Sequence, residues 1–152
     1  MSDPAAARFF TLRLADPHSD LLLREVDSLR RAMRAARARH GLVIDAIAVL
    51  PAVLHCLWHL PQGCQHASAI GTVKSRFAQD RRLWLRDSWS HRVAGPEDLQ
   101  QHRDRIHLSP VLAGLCAHPQ DWPHSSIHRA LRHGLPVPDT AETRMVRSVP
   151  AI

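Results

Sequence analysis

The stretch LVIDAIAVLPAVLHCLWHL, residues 42–60, decides the fold. Residues 42–50 and 53–60 are both apolar runs of strand length, enriched in Val, Ile, Leu and Trp. Pro51 cannot donate to a sheet ladder, so it marks the break between them. A tight reversal at that proline makes the two runs a hairpin. The second run carries His55, a single polar group on an otherwise packed strand. Trp58 and Leu60 read as core. Cys56, His59, Cys64 and His66 could gather around zinc, but their spacing matches no standard finger. Reduced, buried thiols are the plainer reading, and three cysteines at irregular spacing are no disulfide framework.

Outward from the hairpin, the pattern alternates between sheet and helix. FFTLRL (9–14) reads as a strand, and ADPHSD as a turn. Leu22, Val26, Leu29 and Met33 recur every three to four residues, which predicts a helix over 20–40, stopped by Gly41. Its remaining positions carry Arg24, Arg30, Arg31, Arg34, Arg37 and Arg39, a solvated or phosphate-facing stripe. Residues 66–79 read as a helix weakened by Gly71. Residues 83–93 read as a strand, and 122–133 as a last helix. Gly95, Pro96, Glu97 and Asp98 form a helix start, with acids on the positive end of the dipole, and Pro110 sets an expected end near 108. Strand, helix, two strands, helix and strand is the split β-α-β order of an α+β, ferredoxin-like antiparallel sheet, here with extra C-terminal helices. Residues 1–139 are expected to form the domain and 140–152 a flexible tail.

The charge narrows the partners. The chain has 152 residues, a formal charge of +6 and a pI of about 10.8. Nineteen of its twenty basic side chains are Arg, and Lys74 is the one Lys. That balance suits a polyanion, with nucleic acid foremost. No apolar run reaches the roughly 20 residues of a membrane span, and the first residues lack secretory features. A cytoplasmic location with no membrane partner is expected.

Five segments in order carry a resemblance: RLADPHSDLLLREVDSLR (13–30), VLPAVLHCLWHLP (49–61), VKSRF (73–77), RIHLSPVLAGL (105–115) and DWPHSSIHR (121–129). Together they resemble the REP-associated transposases of the IS200-like, tyrosine HUH group over about residues 9–139. The resemblance implies a ferredoxin-like core that binds single-stranded DNA folded into REP-like palindromic hairpins. It implies cutting and rejoining through a tyrosine that becomes a 5′-phosphotyrosine. It also implies Mg²⁺ or Mn²⁺ held by a His-apolar-His pair on a central strand and by a polar side chain one turn after the tyrosine. Histidines two apart on a strand share a face and can hold one ion. A cation offsets the charge of the phosphodiester, and the covalent link conserves the energy of the cut bond.

This sequence departs from that pattern where the chemistry lies. The histidine pair falls on Val53 and His55. The nucleophile position falls on Arg105, and the polar position four residues on falls on Ser109, where Asn is usual. The whole chain contains no tyrosine. Asp87 and Ser88 stand where the family more often has a basic and an aromatic residue. His91 and His107 read as structural or surface groups. The expected function is DNA binding without strand cleavage and with no tightly bound metal. Lys74, Arg76, Arg81, Arg82 and Arg86 are the candidate DNA contacts, with tryptophans as stacking platforms and Trp122 as an anchor for the last helix. A homodimer is compatible with this reading. Two alternatives stay open: an active transposase with a nonstandard nucleophile, Ser109, Ser125 and Cys116 being nominal candidates, or a decayed domain retained for protein contacts.

Overall fold

The computed structural model describes residues 7–138. The boundary expected at 139/140 lies outside them. Strand β1 spans Ala7–Arg13. Helix α1 (Leu21–Arg24) and helix α2 (Val26–His40) follow, separated by a kink at Glu25 inside the single helix expected from the periodicity. Strands β2 (Val43–Val49) and β3 (Val53–His59) form the hairpin around Pro51. Helix α3 spans His66–Arg76, strand β4 Trp89–Arg92, helix α4 Pro96–Leu112 and helix α5 Ile127–Arg132.

The four strands lie in the order β2-β3-β1-β4, and every neighbouring pair is antiparallel. This is the ferredoxin-like arrangement, with β3 and β1 in the centre. Strand periodicity divides the core in two. Phe10, Leu12, Leu54, Cys56 and Trp58 face α2 and α3, where they meet Leu22, Leu29, Met33, Ala69, Ile70 and Val73. Phe9, Ala46, Ala48 and Leu57 face the other way and meet Ile106 of α4. Residues 54–58 of β3 are all buried because both faces of the central strand are covered.

Four further element boundaries differ from the sequence expectation, each for a reason visible in its hydrogen bonds. The strand expected over 83–93 is only Trp89–Arg92. Residues 81–83 form a 3₁₀ turn, and Trp84 meets Leu14 through one isolated bridge. The Lys74 ammonium donates to the carbonyls of Leu85 (3.0 Å) and Arg86 (3.4 Å), so a side chain holds this segment. Helix α3 ends at Arg76. Ala78 and Gln79 then adopt left-handed φ angles of 49° and 52°, and Ala78 N–H donates to Ser28 Oγ at 2.9 Å.

Helix α4 does not stop before Pro110. Proline removes the N–H that would reach the Ile106 carbonyl, but Ser109 Oγ donates to that oxygen at 2.7 Å and the helix continues to Leu112. The helix expected over 122–133 begins at Ile127. The preceding residues run along the free edge of β2: Val49 N–H donates to the His124 carbonyl, Ser126 N–H to Ile47, and Trp122 Nε1 to the Val49 carbonyl at 2.9 Å. The DWPHSS segment thus caps an edge that would otherwise present unpaired backbone groups, and Trp122 is its anchor.

Candidate functional site

Two elements meet where the resemblance places the chemistry. Strand β3 offers its outward face to α4. Along β3, Val53 is paired with Arg13 of β1 and His55 with Thr11. His55 is 1% exposed, and its Nδ1 lies 2.9 Å from Thr11 Oγ1. Its Nε2 is buried without a hydrogen-bond partner among the described residues. Burial pushes the His55 pKa down to about 3, helped by the charges of Arg13 and Arg105. The imidazole is therefore neutral at physiological pH.

Arg105 stands on α4 close enough to His55 for its charge to act there. Its Nε is buried and unpartnered among the described residues, and burial lowers its pKa. Arg105 remains a cation at neutral pH, because guanidinium deprotonates only at extreme alkalinity. Ser109 is 1% exposed, and its hydroxyl hydrogen is engaged by Ile106. The structure thus brings His55 and Arg105 together and directs Ser109 into its own helix.

This donor set does not fit a divalent cation. Val53 offers no lone pair, one nitrogen of His55 is engaged, and the charges of Arg13 and Arg105 act on the ring. Mg²⁺ and Mn²⁺ prefer oxygen-rich, anionic surroundings. The place where the resemblance expects a cation is instead supplied with positive charge by the protein itself.

The candidate DNA contacts divide. Lys74, Arg81, Arg82 and Arg86 line one cleft of about 430 Å³ together with Trp84 and Leu85. Lys74 is 7% exposed and bonded to carbonyls, so it builds the cleft wall, whereas Arg81, Arg82 and Arg86 are exposed. Arg82 also pairs with Asp80. Arg76 is exposed but does not line the cleft. Trp84 is 5% exposed and packs edge-on against Phe77 at 5.3 Å, and Trp58 is fully buried. Neither presents a face for a base to stack on.

The four residues considered for zinc are dispersed. Cys56 faces the α2–α3 side of the sheet, where burial raises its thiol pKa. His59 points to the opposite side and pairs with Asp45 at 2.9 Å, a carboxylate also held by Arg103 of α4 at 2.7 Å. His66 accepts from Trp58 Nε1 at 3.1 Å. Cys64 lies near the surface, its thiol nearest the Gln65 carbonyl.

The sequence reading missed a further constellation. His91 of β4 and Asp98 and His102 of α4 lie together at the start of that helix. The spacing of Asp98 and His102, four apart on a helix, is visible in the sequence. The arrival of His91 beside them requires the pairing of β4 with β1.

Comparisons with known proteins agree with this fold. The chain is 32% identical over 131 residues to the REP-associated tyrosine transposase of Escherichia coli K12, covering 84% of this chain and 79% of that protein. The chain belongs to the REP-associated tyrosine transposase family. A Haemophilus influenzae protein with the same family name is 28% identical over 142 residues, covering 82% of this chain and 81% of that protein. Among solved structures, a REP-associated tyrosine transposase bound to a REP hairpin superposes with a TM-score of 0.88 at 28% identity, covering 100% of this chain and 95% of that one. No family model matches the chain. Among the described residues of this family member, no helix is long and apolar enough to cross a membrane.

Proposed function

We propose that this member of the transposase family binds hairpin-forming single-stranded DNA, of the REP-like palindromic kind, without cutting it. The observation that carries the reading is the absence of any tyrosine in the chain, with Arg105 at the nucleophile position. A phosphotyrosine link needs a phenol, and no shift of alignment supplies one. The relative that superposes on the whole chain was solved with a REP hairpin, and the fold on which that DNA rests is retained here.

The physical picture follows from the charges. Arg81, Arg82 and Arg86 line an open cleft, and guanidinium groups there can pair with phosphate oxygens in the bidentate geometry that arginine favours. Arg105, beside His55, adds a fixed positive charge where relatives are expected to carry a cation. Binding therefore needs no divalent ion. Two of the three nominal nucleophiles gain no support from the geometry: Ser109 is tied to Ile106, and the Cys116 thiol has its pKa raised, first by burial and then by Asp121.

The test has two arms on the natural protein. Gel shifts with hairpin and unstructured single strands, with and without EDTA, should show hairpin-selective binding that survives chelation. Equal weak binding to every oligonucleotide would refute the recognition. Incubation with Mg²⁺ or Mn²⁺ should give neither nicked strand nor protein–DNA adduct. A metal-dependent adduct would establish the active-enzyme alternative, and loss of all DNA affinity the decayed one.

A further inference from the structure

The DNA reading leaves one polar cluster unused. His91 stands on β4, and Asp98 and His102 stand one turn apart near the start of α4. His91 Nε2 lies 2.9 Å from Asp98 Oδ2, and His102 Nδ1 lies 3.1 Å from Asp98 Oδ1. One donor atom from each residue lies within 4.8 Å of the other two. We propose that His91, Asp98 and His102 form a binding site for a divalent transition metal of the zinc and cobalt class, separate from the Val53–His55 position and independent of the DNA reading.

The donor chemistry selects the metal. Two imidazole nitrogens and one carboxylate suit Zn²⁺, Co²⁺ or Ni²⁺, whereas Mg²⁺ and Ca²⁺ prefer oxygen. Three protein ligands leave a fourth tetrahedral position for water. The side chains of His91 and Asp98 are 30% and 20% exposed, so the cluster opens to solvent on one side.

The spacing is close to what an ion requires. Metal–ligand bonds of about 2.0–2.1 Å in a tetrahedron put neighbouring donor atoms about 3.3 Å apart. The present separations of 2.9 and 3.1 Å run to the two oxygens of Asp98, and the two imidazole rings stack within 17° of parallel, so closing on one ion requires the half-exposed His91 ring and the carboxylate to turn. The ion would replace the proton between His91 and the carboxylate, and His102 Nδ1, which also lies 2.8 Å from the Asp98 backbone carbonyl, would give up that oxygen for the ion.

The surroundings hold these groups in place. Ala94 N–H donates to Asp98 Oδ2 at 2.8 Å, fixing the carboxylate. The His102 ring is fully buried between Phe9, at 5.0 Å between centroids, and His91, at 4.7 Å. Such outer support is what orients ligands in metal sites. A bound ion would fasten the edge strand β4 to α4, the helix that carries Arg105 and Ser109.

The experiment titrates the full-length, chelator-stripped protein with Co²⁺ alone. It follows visible absorption and tryptophan emission, because the Trp89 ring stacks on His91 at 6.1 Å with a 6° tilt. One saturable equivalent, with quenching, is expected. His91→Ala and Asp98→Asn should each weaken binding by at least about tenfold, since loss of outer-shell groups alone costs 10- to 100-fold. His55→Val should bind as the natural protein does. No saturable binding by the natural protein, full binding by a folded His91→Ala, or loss of binding in His55→Val would each overturn the site. Circular dichroism confirms folding. Should Asp98→Asn unfold, His91→Ala decides alone, because His91 lies on a partly exposed edge strand.

Discussion

Ser109 separates a structural from a ligand role most sharply. Its hydroxyl is the donor that reaches the Ile106 carbonyl, which Pro110 leaves without its usual helical partner. Ser109→Ala strands that carbonyl in a buried setting, at a cost of about 1–3 kcal/mol. For a chain of this length, the unfolding entropy is about 0.3 kcal/mol/K, so the melting midpoint should drop by about 3–9 °C. The loss should be specific to the proline. In a Pro110→Ala background an amide N–H again reaches Ile106, and adding Ser109→Ala should then change the midpoint little. Thermal unfolding of the four proteins closes the double-mutant cycle. Hairpin DNA affinity, measured below the melting range, should be unchanged in Ser109→Ala. An unaltered midpoint, a Ser109→Ala penalty undiminished by Pro110→Ala, or a drop in DNA affinity without destabilisation would refute this account of the residue.

Other expectations concern charge, acid and chemistry. DNA affinity should fall steeply with salt, and Arg81→Ala or Arg86→Ala should each lower the log–log salt slope by about one; gel shifts over a salt series check this, and an unchanged slope would remove the cleft from the interface. Lys74→Ala should act first on stability, since its ammonium holds two carbonyls of the 85–86 segment, and an undiminished melting midpoint would contradict that. Burial holds His55 near pKa 3, and His66 and His107 near 4, against 6.5 for the free group. The unfolded chain therefore binds protons that the folded one refuses, and stability should be lost as pH falls from about 6.5 towards 4; midpoints that stay flat across that window would mean these rings are already charged or exposed. Val53→His, Arg105→Tyr and Ser109→Asn together should restore Mn²⁺-dependent nicking while each single change does not, because metal and nucleophile act as a unit; a folded triple variant that leaves DNA intact would show that the geometry has drifted as well.

The sequence by itself determined the fold class and the lack of any tyrosine. Strand-length apolar runs around Pro51, the helical spacing of Leu22, Val26, Leu29 and Met33, and the Gly-Pro-Glu-Asp helix start are local signals, written in neighbouring residues. The absence of tyrosine is legible without any structure. What tertiary structure decided were partnerships between distant residues. Lys74 reads in the sequence as a phosphate contact, and in the fold its ammonium donates to the 85–86 carbonyls. Ser109 gives its hydroxyl hydrogen to the Ile106 carbonyl, a bond that only the folded helix around Pro110 sets up. The strand expected over 83–93 shrank to four residues, with 83–85 joined to the end of β1 by one isolated bridge and 85–86 held by Lys74, and the DWPHSS segment became an edge cover instead of a helix. His91 met Asp98 and His102 only through the pairing of β4 with β1. Propensity acts over a few residues, but whether a polar group is free to bind a ligand depends on which buried partner claims it first, and only the folded chain brings those partners within reach.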